Sequence, residues 1–405
     1  MSKDKRKIPK RRFPEFSGDW EEKKLGDIAI RVKRKAPLNS HAPVMMISAN
    51  EGFILQSEKY STNNAGNSLK NYTWLFCGEL AYNHGYSKLR NFGSCFDLRI
   101  PEARVPFVYH TFSLPNDDSI FFGCYLNSGR FDLDLRQKIS STARMDGLLN
   151  ISFDDYMSLQ IKRPTYAEQV RIGNFFRQLD DLITKQQQKI EKLQATKSAY
   201  LTQMFPAEGE KQPRLRFPEF SGDWEEKKLG DISISYSGGT PTVGIPEYYA
   251  GNIPFIRSSE IHTNSTELFI SEEGLNNSSA KLVEPGIILY ALYGATSGEV
   301  NISKLYGAIN QAILAIKLFP LFDAYFLVKW LQSNRDNITA LYLQGGQGNL
   351  SGTIVKNIII PIPTYAEQVR IGDFFRQLDD VIAANQRKLN KLKALKEAYL
   401  NEMFV

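Results

Sequence analysis

Apolar side chains recur at Ile172, Phe176, Leu179, Ile183, Ile190, Leu193, Tyr200 and Met204, in steps of four and three that fit one heptad seam. The same seam returns at Ile371, Phe375, Leu378, Ile382, Leu389, Leu392, Tyr399 and Met403. This periodicity predicts two long amphipathic helices of about 40 residues each, or roughly 60 Å at 1.5 Å per residue. The seam breaks at matching places, at Gln186 and Asn385 and again at Lys197 and Lys396. A buried amide at a seam position sets register and orientation at some cost in stability, so Gln186 and Asn385 are candidate register residues. The helices are expected to be each other's partner in an antiparallel coiled coil, with a homodimeric coiled coil as the alternative.

Elsewhere the pattern changes to short apolar runs between turn signals. In residues 233–362 it predicts a strand at 253–256, a turn at 282–286, strands at 287–292 and 312–318, a helix at 324–331, a polar loop at 344–350 and a strand at 358–362. In residues 29–163 it predicts strands at 44–48, 79–82 and 95–100, a turn at 77–78, a helix at 106–112, a loop at 142–147 and a strand at 156–161. Each segment reads as one mixed α/β domain.

An internal repeat organises these elements. Residues 13–28 (FPEFSGDWEEKKLGDI) recur unchanged at 217–232, and 164–173 (PTYAEQVRIG) recur at 363–372, with FFRQLDD following at 175–181 and 374–380. The segments between these frames have diverged. A frame that docks twice on the same partner keeps its surface while its inserts differ, which places specificity in the inserts; the alternative is a plain duplication in a repeat scaffold. The resulting division is a basic, disordered tail at 1–12, a domain at 13–163, a helix at 164–205, a linker at 206–216, a second domain at 217–362 and a second helix at 363–405.

Composition narrows the function. With 405 residues, 42% of them hydrophobic and 23% charged, the chain can build two or three cores. The net charge of +6 is supplied entirely by residues 1–12, where Lys3, Lys5, Arg6, Lys7, Lys10, Arg11 and Arg12 face one Asp. Residues 29–163 carry +4 and residues 233–362 carry −2, so charge alone does not identify a nucleic-acid binder. The tail reads as a solvated end, with a phosphate-contacting arm as the alternative. Cys77, Cys95 and Cys124 lack metal-ligand spacing and read as buried thiols in a reducing, cytoplasmic compartment. No apolar run or signal peptide points to a membrane.

Catalytic strings are missing. His41, His84, His110 and His262 show no metal-ligand spacing, and no nucleotide-binding glycine loop ends in Lys-Ser/Thr. Glu21-Glu22-Lys23 holds the Glu-x-Lys fragment some nucleases use, but it recurs in the frame at Glu225 and reads as a charge run between the packing residues Trp20 and Leu25. Loop residues suited to base edges and phosphates are plentiful. The candidates are Asn83, His84, Tyr86, Lys88, Arg90, Arg130 and Arg144 in the first insert, and Arg257, Ser258, Tyr293, Thr296, Gln344, Gln347 and Asn349 in the second.

Several short motifs carry a family resemblance. Gly238-Gly239-Thr240-Pro241, Ile253-Pro254-Phe255-Ile256-Arg257-Ser258, Leu289-Tyr290-Ala291-Leu292-Tyr293-Gly294-Ala295-Thr296, Asn310-Gln311-Ala312 and Gln347-Gly348-Asn349-Leu350 resemble those of type I restriction-modification specificity subunits. So do Pro361-Ile362-Pro363 with Ala366-Glu367-Gln368, and the Asp-Trp-Glu start of each frame. The first insert lacks Gly-Gly-Thr-Pro and Tyr-Gly-Ala-Thr. The resemblance implies a non-catalytic chain whose two target-recognition domains each grip half of a bipartite, asymmetric site on double-stranded DNA. It further implies that the helices set the spacer and bind two modification subunits, which methylate adenine. Restriction subunits then join, with S-adenosylmethionine, ATP and Mg on those partners and no cofactor or metal in this chain. The competing reading is a repeat adaptor that binds no DNA.

Overall fold

The computed structural model describes residues 7–37, 39–49, 51–59, 66–85, 87, 90–139, 149, 151–343 and 349–405. Two compact units share the chain: residues 1–187 with 387–405, and residues 188–386. The division passes through both long helices, Tyr166–Gln203 and Tyr365–Glu402, of 38 residues each. Among the described residues no helix is long and apolar enough to cross a membrane.

In each unit the repeated frame folds on itself. The EEKK segment forms a strand, Glu21–Lys24, antiparallel to Gln160–Arg163, and the copy Glu225–Lys228 pairs with Ile359–Ile362. These strands tie the entry of each insert to its exit, immediately before a long helix. Trp20 and Leu25 flank the first strand and are buried, as are Trp224 and Leu229 beside the second. The charge run between them is mostly exposed.

The two inserts, so different in sequence, build the same central sheet. In the first unit its antiparallel order is Ile30–Arg31, His110–Ser113, Leu80–Asn83, Ser94–Asp97. In the second it is Ser233–Ser237, Ile313–Leu318, Ile288–Ala291, Val300–Ile302. Beside this sheet the second unit carries another, ordered Phe269–Ile270, Ile253–Ile256, Gly307–Ile309, Lys281–Val283. The first unit has two antiparallel strand pairs instead, the hairpin Met45–Ser48 with Gly52–Leu55 and the non-consecutive pair Thr73–Phe76 with Glu102–Val105.

One helix in each insert locks the sheet to the frame. Asp118 caps Ser119–Leu126 by accepting from the Phe121 amide, and Asp323 caps Ala324–Ser333 by accepting from the Phe326 amide. Gln169 and Gln368 are buried at the starts of the long helices and accept from the amides of Asp118 and Asp323 at 2.9 and 3.0 Å. Gly173 and Gly372 make room for these caps, because a Cβ there would lie 2.5 Å from the Asp118 or Asp323 carboxylate.

The helices run antiparallel, as the contacts within each unit establish separately. In the first unit Phe175 meets Tyr399, Phe176 stacks on Phe404 and Asp180 bonds Lys396 at 2.6 Å. In the second Tyr200 meets Phe374, Phe205 stacks on Phe375 and Lys197 bonds Asp379 at 2.6 Å. The lysines that interrupt the seam are therefore cross-helix ion-pair partners. The residues that follow each helix enter an insert core: Met403, Phe404 and Val405 in the first unit, Met204 and Phe205 in the second.

Several local expectations change; the turn expected at 282–286, for one, begins only after the strand Lys281–Val283. Residues 106–109 are a turn, and the helix expected over 106–112 gives way to the strand His110–Ser113, which has sheet neighbours on both sides. A short apolar run is ambiguous by periodicity, and pairing on both edges decides it. The strand expected from 156 begins at Gln160, because Ser152 caps a helix over Phe153–Met157. Cys77 is exposed beside the left-handed Gly78, whereas Cys95 is buried. The basic tail is also pinned at its end, where Arg12 pairs with Glu168 and Arg11 with Glu402.

Candidate nucleic-acid interface

In the second unit the scattered motifs meet at one rim. Ile253–Ile256 and Gly307–Ile309 run parallel with Ile256 opposite Ile309, so Arg257 and Asn310 follow at neighbouring strand ends. Asn310 turns the chain by accepting from the Ala312 amide at 3.1 Å. The Leu292 amide donates to the Ala312 carbonyl at 2.8 Å, and the Leu350 amide donates to the Leu292 carbonyl at 3.0 Å. Leu292 and Leu350 are buried. Gln311, Tyr293 and Asn349, each one residue from this ladder, are exposed. The Thr240 hydroxyl, from the Gly-Gly-Thr-Pro segment, donates to Gln311 Oε1 at 2.7 Å.

The rim is braced from behind. Arg335 donates to the Ser297 carbonyl at 3.2 and 3.1 Å, and Glu299 lies between Arg335 at 3.5 Å and His262 at 3.2 Å. Thr296 donates to the Tyr293 carbonyl at 3.3 Å, closing the turn over Gly294–Thr296. Arg257 bonds Glu260 at 2.9 Å and Glu267 at 2.8 Å. Burial opposes ionisation of Glu260, but bonds from Arg257, the Glu267 amide and Thr266 outweigh it and hold the carboxyl down at about 2. Arg257 thus builds its turn, with Ser258 opening the short helix Ser258–Glu260.

The first unit repeats one rung of this ladder with different side chains. The Leu149 amide donates to the His84 carbonyl at 2.8 Å, as Leu350 does to Leu292, so His84 occupies the place of Leu292. His84 is accordingly buried, with Nδ1 2.7 Å from the Leu149 carbonyl and Nε2 2.9 Å from the Val108 carbonyl. Asn83 accepts from the Gly85 amide at 3.0 Å and donates to the Ile47 carbonyl at 3.3 Å. Arg90 donates to the Asn127 carbonyl, and Arg130 to the Asn401 carbonyl at 2.6 Å.

Of the residues singled out on sequence, Tyr293 and Asn349 reach an exposed rim, whereas His84, Arg90, Arg130 and Arg257 spend donors on internal carbonyls or carboxylates. Tyr86, Lys88, Arg144, Gln344 and Gln347 lie outside the described residues. Gln186 is buried, and Asn385 donates to the Val381 carbonyl of its own helix at 2.7 Å. Thr240, Gln311, Glu299 and Arg335 were not singled out as site residues. The available signal for the first two was membership of motifs now seen to touch.

A family model for the type I restriction modification DNA specificity domain matches residues 221–394. The putative MjaX specificity subunit of Methanocaldococcus jannaschii is 23% identical over 341 residues, covering 81% of this chain and 77% of that protein. By these matches the chain is similar to type I specificity subunits of the HsdS family. Its likeness to the MjaIX specificity subunit of the same organism is 28% over 187 residues, spanning 42% of this chain and 41% of that one. With the EcoR124I/EcoR124II specificity subunit of Escherichia coli it is 28% over 178 residues, spanning 41% and 43%. The chain thus spans less than half the length of these last two relatives in alignment. The fold is shared with the S subunit of M. genitalium, at a TM-score of 0.62 and 15% identity over 98% of this chain and 99% of that one. A chain from a structure of type I R-M system assembly and conformational transition gives a TM-score of 0.55 at 15% identity, over 95% and 97%. Four of the insert motifs, those holding Thr240, Arg257, Leu292 and Gln311, are the material of one rim rather than separate signatures, whereas Glu367 and Gln368 belong to the frame.

Proposed function

We propose that the chain is the DNA-specificity subunit of a type I restriction-modification complex, reading a bipartite, asymmetric site on double-stranded DNA with one rim per unit. The observation that carries this reading is one sheet topology carrying two inserts of different sequence, with polar Tyr293, Gln311 and Asn349 grouped on an exposed rim in the second unit. Two unlike half-sites need two unlike reading surfaces on one scaffold. In this reading the chain itself is non-catalytic. Two modification subunits bring S-adenosylmethionine and methylate adenine, and restriction subunits bring ATP- and Mg-dependent translocation and cleavage.

Net charge does not drive the recognition, since residues 233–362 are mildly acidic. Sequence is read at base edges, with phosphate contacts serving mainly position. The test is to exchange residues 233–362 for the insert of another family member, co-express with the modification subunits and sequence the methylome. One half of the methylated site should change while the other stays. A methylated sequence identical to the original, or no sequence-dependent methylation at all, would overturn the proposal.

A further inference from the structure

We propose that Gln311 is a specificity-determining residue that reads an adenine edge, and that Thr240 is the positioning residue that orients it; this rests on the DNA-reading function proposed above. Gln311 is exposed on the rim between Asn310, whose side chain is used in its own turn, and Ala312, whose carbonyl anchors Leu292. Its amide would ordinarily rotate freely in solvent. The Thr240 hydroxyl, 2.7 Å from Oε1, restrains that rotation and marks the oxygen side of the amide.

The anchoring of Thr240 is itself firm. A Cβ at Gly238 would lie 1.8 Å from the Ile309 carbonyl, and one at Gly239 would lie 2.6 Å from the Ser279 side chain. Only a glycine at 238 lets this segment come so close to the strand that delivers Asn310 and Gln311, and Gly239 fits it against Ser279. The Pro241 carbonyl beyond it accepts from the Tyr249 hydroxyl at 2.6 Å. The Gly-Gly-Thr-Pro motif is therefore a device for holding one hydroxyl against one amide.

The chemistry then selects the base. With one Oε1 lone pair taken by Thr240, Gln311 still offers the Nε2 donors and a second Oε1 lone pair side by side. In the major groove adenine presents N7 as acceptor and N6 as donor, which this pair matches in a bidentate manner, and guanine, with two acceptors, does not. A fixed amide loses less freedom on binding than a mobile one and discriminates more sharply. Arg257, the neighbouring long donor, is held by Glu260 and Glu267 and leaves the position to Gln311.

The experiment uses the full chain in complex with its modification subunits and a duplex panel in which each base pair of the methylated site is replaced in turn. Gln311→Ala should lose discrimination at one A·T pair of one half-site by roughly 5- to 150-fold, leaving the other half-site unaffected. Gln311→Glu should move the preference at that pair toward cytosine, whose N4 donates. Thr240→Val should weaken discrimination at the same pair, Thr240→Ser should restore it, and Thr240→Val in a Gln311→Ala background should add nothing. A Gln311→Ala complex that keeps every base preference, or loses affinity uniformly across the panel, overturns the assignment while leaving the DNA-reading function standing. A wild-type complex without sequence preference overturns both.

Discussion

Arg12 and Glu168 meet in a two-pronged ion pair, Nε to Oε1 at 2.7 Å and Nη2 to Oε2 at 2.7 Å, with the glutamate side chain almost entirely buried. Arg216 and Glu367 repeat it at 2.7 and 2.8 Å. Each arginine also donates to two frame carbonyls, Gly18 and Ser17 in the first unit, Gly222 and Ser221 in the second. The pair ties the start of one duplicated block to the other, since Glu168 and Glu367 lie within the second block and the arginines stand beside the first. Arg12 stands one residue before the 13–28 block, and Arg216 matches it at the same offset.

Removing one member of such a pair leaves the other charge buried. Arg12→Ala or Arg216→Ala should each destabilise its own unit by roughly 3–5 kcal/mol. Denaturant melts followed by unit-resolved hydrogen exchange would check this. The double variant Arg12→Ala with Glu168→Gln should recover part of the loss.

Alanine for glycine inside an exposed helix ordinarily stabilises by about 1 kcal/mol. At Gly173 and Gly372 the sign should reverse, because the new methyl would meet the capping carboxylate of Asp118 or Asp323 at 2.5 Å. Overpacking of this kind costs about 1–3 kcal/mol, and losing the cap about 1 kcal/mol more. A lowered melting temperature for Gly372→Ala, together with loss of protection at the Phe326 amide, is the expected outcome.

Asp180 and Asp379 are equivalent in the repeat but unequal in surroundings. Asp180 bonds Lys396 at 2.6 Å between half-exposed side chains. Asp379 bonds Lys197 and also Lys329 at 2.7 Å and the Tyr325 hydroxyl at 2.7 Å, and Lys329 is only 4% exposed. Asp180→Asn should therefore cost no more than about 1 kcal/mol, whereas Asp379→Ala, which strands a buried ammonium, should cost several. Equal effects in equilibrium unfolding would contradict this.

His110 stacks on His84 with ring centroids 4.9 Å apart, close to Tyr82 and Tyr156. Burial pushes the His110 imidazole down to about 4, against a favourable bond to the Ile151 carbonyl, and His84 and Arg31 push the same way. Its folded value is below its unfolded one, so the unfolded chain binds the extra proton first as pH falls. Stability from this group is intact above pH about 6.5, declines between about 6.5 and 4, and is constant below, a loss of up to roughly 3 kcal/mol. Unfolding free energies of the wild type and His110→Gln across that window should show the slope shrinking in the variant.

The seam residues were legible because periodicity is a local property of an α-helix: Ile172, Phe176, Ile371 and Phe375 are all buried. Strands rich in branched residues, such as Ile313–Leu318, were legible for a similar reason. The stretch 106–112 was not, since its apolar run fits either helix or strand until the sheet neighbours of His110–Ser113 are known. His84 read as a loop donor and proved an interior residue, because its burial depends on Leu149 and Val108 far along the chain.

The amino-acid sequence by itself determined the duplicated frame, the two long helices and the location of variability in the inserts, since each is a matter of identity or spacing along the chain. Only the tertiary structure decided that the unlike inserts share one sheet order, that distant motifs converge on one rim, and which polar side chains reach it. Strand pairing is made by backbone groups that every residue carries, so two diverged sequences can close the same ladder. A side chain's availability depends instead on which carbonyls and carboxylates the fold brings beside it, as Arg257 and Gln311 illustrate just beyond the ends of neighbouring strands.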